Sequence, residues 1–368
     1  MPRSRSRIRR ARLFQAVCVS SVLLATRPAP SQCSPNLTGV KLGLVLGGGG
    51  LVGLGYHAGV LRALADRGVE VGRADVIVGT SAGAIVAAYL AAGWLQTDFF
   101  EYAHGRHPNA IRDGIGKPGA PGPLASPMWG SRAERVRRGI GSAFTMASSR
   151  GLWKVGDRRP APFLRRLFPS GMYSSDETRT RFHRDLPGEW PRPGLVLSAA
   201  ELYTGRRVGF GMAGAPPAAF PDAVLASAAI PGIFPPVRIG DRHYVDGGVV
   251  SGTSLDFAAD HGCASILCVA PLAYRTDGGM PILNPRKWSP VLVRAPFARI
   301  LRREVVAARR KGRNVLVIRP WTSDLSAHGT NSMRNHDRGE LADGARTGTN
   351  RLLETVGDHP VLSAFGAT

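Results

Sequence analysis

Apolar residues in this chain occur in two patterns: short continuous runs that suit buried strands, and spaced sets that suit helices. Residues 41–46 (Lys-Leu-Gly-Leu-Val-Leu) form one run, which leads directly into Gly47-Gly48-Gly49-Gly50. Val52, Tyr56, Val60, Leu61 and Leu64 then recur at helical spacing. Residues 74–78, short and β-branched between Gly72 and Gly79, predict a second strand. Residues 84–92 are almost all Ala, Ile, Val and Leu, which predicts a helix packed on most sides and stopped by Gly93. Further on, 195–200, Thr204-Gly205 and 208–210 predict a hairpin, and 266–270 and 315–318 further core strands. Residues 291–311 predict a long, arginine-rich amphipathic helix, and 342–356 a final one. Residues 105–130 hold no sustained period and are rich in Gly and Pro, so they predict a long loop before a basic helix at 132–144. Strands alternating with helices predict a three-layer α/β/α sandwich around a mostly parallel sheet, with its site at the carboxyl ends of the strands.

Candidate chemistry sits at three glycine-rich junctions of this pattern. Gly79-Thr80-Ser81-Ala82-Gly83 joins the second strand to its helix. A serine on such a turn has a strained backbone that exposes its Oγ, and small neighbours let the turn close. The helix start behind it adds N–H groups and a positive dipole end where negative charge develops. The loop 47–50 likewise exposes backbone N–H groups beside a helix start, which suits an anion, either a phosphate or an oxyanion. Gly48, Gly50 and Gly53 also match the spacing of a dinucleotide-binding fingerprint, with Glu70 or Asp75 near the distance of a ribose-binding carboxylate. That reading leaves Ser81 without a role. The third junction is Tyr244-Val245-Asp246-Gly247-Gly248-Val249, an aspartate at the end of an apolar strand beside flexible backbone. Alone, Asp-Gly would read as a hairpin turn.

Taken together, the Gly47–Gly50 loop with Gly53, the Gly-Thr-Ser-Ala-Gly turn, and Asp-Gly-Gly after Pro231-Gly232-Ile233-Phe234-Pro235-Pro236 resemble a patatin-like phospholipase over residues 42–269. The resemblance implies a Ser-Asp dyad without histidine, with Ser81 as nucleophile and Asp246 as its base. It implies an oxyanion hole from Gly48, Gly49 and Gly50, with Gly53, Gly79, Gly83, Gly247 and Gly248 supporting the motifs. The expected activity is hydrolysis of lipid carboxylic esters, and the expected partner is phospholipid or another lipid ester. No cofactor or metal is expected. Val52 stands where the family commonly carries Arg or Lys, which bears on substrate preference rather than on the backbone donors. The remaining alternatives are a nucleotide-binding protein and a non-catalytic membrane-associated module of the same fold. Residues 41–270 are expected to form the catalytic domain, with 105–190 as a variable cap or lid and 271–368 packing on the same domain. Of the histidines, His57 follows the glycine loop closely enough to approach Ser81, although helical packing or a structural hydrogen bond is the stronger expectation.

Composition narrows the setting. A chain of 368 residues with 43% hydrophobic content has enough material for a sizeable core. Cys263 and Cys268 lie in an apolar run and read as buried thiols, and Cys18 and Cys33 complete no disulfide framework. The formal net charge is +22, and residues 1–40 hold seven arginines and no acid. Such a charge favours anionic surfaces, and for a lipid hydrolase this means peripheral contact with an anionic membrane; no nucleic-acid module is present. An alternative source of the charge is an Arg-, Ala-, Gly- and Pro-rich composition. Residues 1–40 read as a signal-like segment or a disordered extension: six arginines precede the apolar stretch 13–25, which is too short to span a bilayer. Cytoplasmic, peripheral and exported locations all stay open, as does the oligomeric state.

Overall fold

A computed structural model describes residues 39–112, 127–149, 167–275, 288–322, 333 and 338–366. The first apolar run becomes β1 (Leu42–Leu46), followed by α1 (Gly50–Asp66). The second becomes β2 (Val76–Thr80) and α2 (Ala82–Ala91). Six further strands follow: β3 (Leu195–Glu201), β4 (Arg207–Phe210), β5 (Val237–Ile239), β6 (Arg242–Asp246), β7 (Ser265–Val269) and β8 (Asn314–Ile318). They form one sheet in the order β5-β6-β3-β2-β1-β7-β8, with β4 also paired to β3. The five strands from β3 to β8 on that path are parallel, while β4 and β6 run antiparallel to β3.

Alternation along the strands builds a core on each face of the sheet. Leu42, Leu44 and Leu46 of β1, with Ile77, Leu195, Leu197 and Leu267, pack against α1, α2 and the helix Arg338–Val356. Val45, Val76, Val78, Val196, Ile266 and Cys268 face the other way, onto the helices Leu255–Asp260 and Trp288–Arg310. A parallel sheet needs this double cover, because both of its faces are apolar. The three-layer α/β/α sandwich with a mostly parallel sheet is therefore the observed fold. A short helix, Pro108–Arg112, interrupts the stretch read as loop from 105, and 113–126 lie outside the described residues. The basic helix runs longer than its sequence pattern, over Arg132–Ser149. Part of the expected cap region (150–166) and residues 1–38 of the signal-like segment also lie outside the described residues.

Residues 271–368 complete both outer layers. The Arg338–Val356 helix lies so close to α1 that a Cβ on Gly59 would sit 2.1 Å from the Ala342 carbonyl oxygen. Side chains are excluded at that crossing, so the two backbones pack directly.

Candidate active site

Strand register brings Ser81 and Asp246 together. β4 occupies one edge of β3 by pairing with residues 197–200. The other edge is shared end to end: β2 pairs along it up to Thr80 opposite Ser198, and β6 takes over with Asp246 opposite Ala199. Adjacent residues of β3 thus hold the carboxyl ends of β2 and β6, and the serine that follows β2 meets the aspartate that ends β6. Both are buried, at 6% and 5% exposure.

Ser81 has φ 55 and ψ −121, a positive-φ conformation that costs a non-glycine residue about 1–3 kcal/mol. The surroundings hold it there. Its N–H donates to Ser227 Oγ (3.0 Å), whose own hydroxyl donates to the Ser198 carbonyl (2.6 Å). Its carbonyl accepts from Ala84 and Ile85, which starts α2. The flanking glycines are dictated by close approach: a Cβ on Gly83 would lie 1.9 Å from the Leu46 carbonyl oxygen, and one on Gly79 would lie 2.5 Å from Ala84 Cα.

The Asp246 carboxyl is pushed up from the ordinary 3.8 to about 6, chiefly by burial. The Ser81 side chain and the Gly248 N–H (2.7 Å to Oδ1) act against that shift by favouring the ionised form. Asp246 N–H is tied to the Ala229 carbonyl at 2.9 Å, which fastens β6 to the segment before Pro231. Gly247 passes over Ser198 so closely that a Cβ there would be 2.4 Å from Ser198 Oγ.

Within the glycine loop the amides divide. Gly48 N–H donates to the Gly252 carbonyl at 2.8 Å, so it is engaged with the chain and is not a free donor as the sequence reading expected. The reason is the turn after Gly248, which folds back over the loop. Gly48 instead packs against Ser81, where an added Cβ would lie 3.2 Å from Ser81 Cβ. Among the described residues, Gly49 and Gly50 N–H have no hydrogen-bond partner, and they open α1. Gly53 closes the loop by donating to the Gly49 carbonyl at 2.9 Å, with its Cα only 2.6 Å from where a Gly49 Cβ would be.

His57 is fully buried, and its Nε2 bonds the Gly47 carbonyl at 2.7 Å. Because that carbonyl accepts, the proton sits on Nε2. Burial lowers the imidazole pKa to about 4, against the raising influence of Gly47. The residue is thus a neutral strut under the glycine loop. Asp75, weighed for a ribose contact, lies before the amino end of β2 and accepts the Leu42 N–H at 2.7 Å. Glu70, the other candidate, also precedes β2, so both carboxylates lie at the far end of the strands from the glycine loop and the dinucleotide arrangement is not formed. Cys263 and Cys268 are buried thiols raised by desolvation, Cys263 to about 11.

A buried hydroxyl network, missed from sequence, surrounds the junction. Ser254, at φ 52, donates to Ser198 Oγ (2.8 Å), and its N–H is held by Ser251 Oγ (2.8 Å). Glu304 accepts from Ser251 Oγ (2.5 Å) and Thr253 Oγ1 (2.7 Å), with Arg207 at 3.6 Å. The available signal was that Glu304 is the lone acid in the arginine-rich stretch 291–311.

The patatin-like phospholipase family model matches residues 44–259. A patatin-like phospholipase domain-containing protein of Caenorhabditis elegans is 49% identical over 56 residues, 15% of this chain and 4% of that protein. An uncharacterized NTE family protein of Mycobacterium tuberculosis is 26% identical over 260 residues, 70% of this chain and 35% of the relative. The chain thus spans about a third or less of the length of these curated relatives. Among solved structures, VipD from Legionella pneumophila is 16% identical with a TM-score of 0.38, covering 86% of this chain and 67% of its own. The type III effector ExoU is 16% identical with a TM-score of 0.34, covering 86% and 53%. With the family model spanning more than half of its length, this chain belongs to the patatin-like phospholipase family.

Proposed function

We propose that the protein is a serine acyl hydrolase of lipid carboxylic esters, with Ser81 as nucleophile and Asp246 as its base. The observation that carries this reading is the shared edge of β3, which sets a strained serine against a buried carboxylate with a pKa of about 6. A base is most useful when its pKa lies near the working pH, and burial moves this carboxylate in that direction. In the first half-reaction Ser81 Oγ forms a bond to the ester carbonyl carbon while its proton passes to Asp246. The carbonyl oxygen becomes an oxyanion within reach of the Gly49 and Gly50 N–H groups at the start of α1. Collapse breaks the ester C–O bond, and the proton on Asp246 goes to the departing alcohol. Water then repeats the sequence on the acyl-enzyme and releases the acid, regenerating Ser81 and Asp246.

The test is labelling with a fluorophosphonate, followed by peptide mass spectrometry. Ser81 is expected to carry the phosphonyl group, and Ser81→Ala to release no fatty acid from phospholipid vesicles or micellar lysophospholipid. Fatty-acid release by Ser81→Ala at the native rate would refute the assignment. Vesicle binding without acyl release by the native chain would favour the non-catalytic module instead.

A further inference from the structure

The Trp288–Arg310 helix has one face committed to the site. Val291, Leu301 and Ala308 are buried. Phe297 lies against Gly252, where an added Cβ would be 3.1 Å from its ring, and Glu304 holds Ser251 and Thr253. The opposite face is unlike an ordinary solvated surface. Leu292 and Val306 are 61% and 41% exposed there. Arg299, Arg302, Arg303 and Arg310, with Val306 and Ala307, line a shallow open depression of about 380 Å³. Among the described residues none of these four arginines has an ion-pair partner, and the helix's one acid, Glu304, points inward. At roughly 100° per residue, positions 292, 299, 303, 306 and 310 fall in one stripe about 60° wide.

Unpaired guanidinium groups interleaved with exposed aliphatic side chains have a specific physical complement. Guanidinium groups grip phosphate in two-point contacts, and leucine and valine gain by leaving water for acyl chains. A nucleic acid would satisfy the arginines but not the aliphatic residues, which offer no ring for a base to stack on. We propose that this outer face of the Trp288–Arg310 helix docks the protein on an anionic phospholipid surface. The inference deepens the acyl-hydrolase reading, on which its purpose rests, by naming the surface from which that site meets lipid. The catalytic turn would then lie one helix width, about 10 Å, behind the docked face.

The experiment measures co-sedimentation of the full chain with vesicles of phosphatidylcholine, alone and with added phosphatidylglycerol. Using the Ser81→Ala background for binding, and the native chain for acyl release, separates this proposal from the enzymatic one. Arg299→Gln/Arg302→Gln/Arg303→Gln is expected to weaken partitioning onto the anionic vesicles about 100-fold and to flatten its salt dependence. Leu292→Ser/Val306→Ser is expected to weaken it while leaving the salt dependence intact. The control Arg67→Gln/Arg184→Gln/Arg238→Gln removes the same charge from exposed positions elsewhere and is expected to bind as before. A cooperative melt for each variant shows that it is folded. Equal losses from both arginine triples would reduce the effect to net charge and overturn the proposal. Native-like vesicle binding by the helix triple, with lost affinity for duplex DNA or RNA, would overturn it as well. Selective anionic-vesicle binding without acyl release would uphold the docking face while removing the hydrolase.

Discussion

Asp246 combines two demands that pull in opposite directions. Burial makes its charged form costly, and the contacts with Ser81 and Gly248 recover only part of that cost, so the folded-state pKa is about 6 against 3.8 ordinarily. Between those values the folded protein binds more protons than the unfolded chain. The stabilising contribution is therefore complete below pH 3.8 and is lost as pH rises through 6, by roughly 3 kcal/mol in all. In the proposed reaction activity runs the other way, because Asp246 would act as base only when ionised: kcat/KM is predicted to rise with pH, reach half its plateau near pH 6 and stay flat above. Asp246→Asn should lower turnover by about 10²–10⁴-fold. The same variant should melt several degrees higher than the native chain at pH 8, since it no longer buries a charge. A melt unchanged or lowered at pH 8 would show that the carboxylate is not strained by burial. The sequence pointed to both residues through the glycines beside them. It could not show the division of the loop amides, because the Gly48 N–H is claimed by Gly252, two hundred residues away.

Elements rather than side chains explain why the junction is stiff. The turn from Ser251 to Ser254 is held from below by Ser198 on β3 and from above by Glu304 on the Trp288–Arg310 helix. Because Gly252 in that turn accepts the Gly48 N–H, the helix reaches the glycine loop through two hydrogen bonds and the two adjacent residues Ser251 and Gly252. Glu304 is thus a positioning residue in this reading. Glu304→Ala leaves two buried hydroxyls without their charged acceptor and should cost about 3 kcal/mol or more in urea unfolding. Glu304→Gln keeps one acceptor, so it should fold with a smaller loss. A loosened glycine loop should then lower kcat while leaving KM near native. A fall in stability with kcat untouched would make Glu304 structural alone. Periodicity disclosed the helix but not this contact, since an acid among arginines reads first as a surface ion pair.

At the scale of the whole molecule, the family match ends before the fold does. Residues 44–259 carry the three motifs, but β7, β8 and the helices Trp288–Arg310 and Arg338–Val356 supply part of both cores. A chain ending at residue 270 is predicted to lack a cooperative melt and to bind a hydrophobic dye, because Leu44, Leu61 and Leu267 lose cover on one face and Val45 and Ile266 on the other. A sharp two-state melt for that fragment would mean that the carboxyl-terminal layer is dispensable.

Local order was legible in the chain itself. Short apolar runs marked the strands, helical spacing marked α1 and the arginine-rich helix, and glycines marked each turn where backbone must approach backbone. Those signals arise within a dozen residues, so each survives in the one-dimensional record. The meeting of Ser81 with Asp246, the capture of Gly48 by Gly252 and the grip of Glu304 on the turn arise differently. They depend on which strand ends lie side by side along β3 and which helix covers them, and only close packing of segments far apart in sequence sets those neighbours.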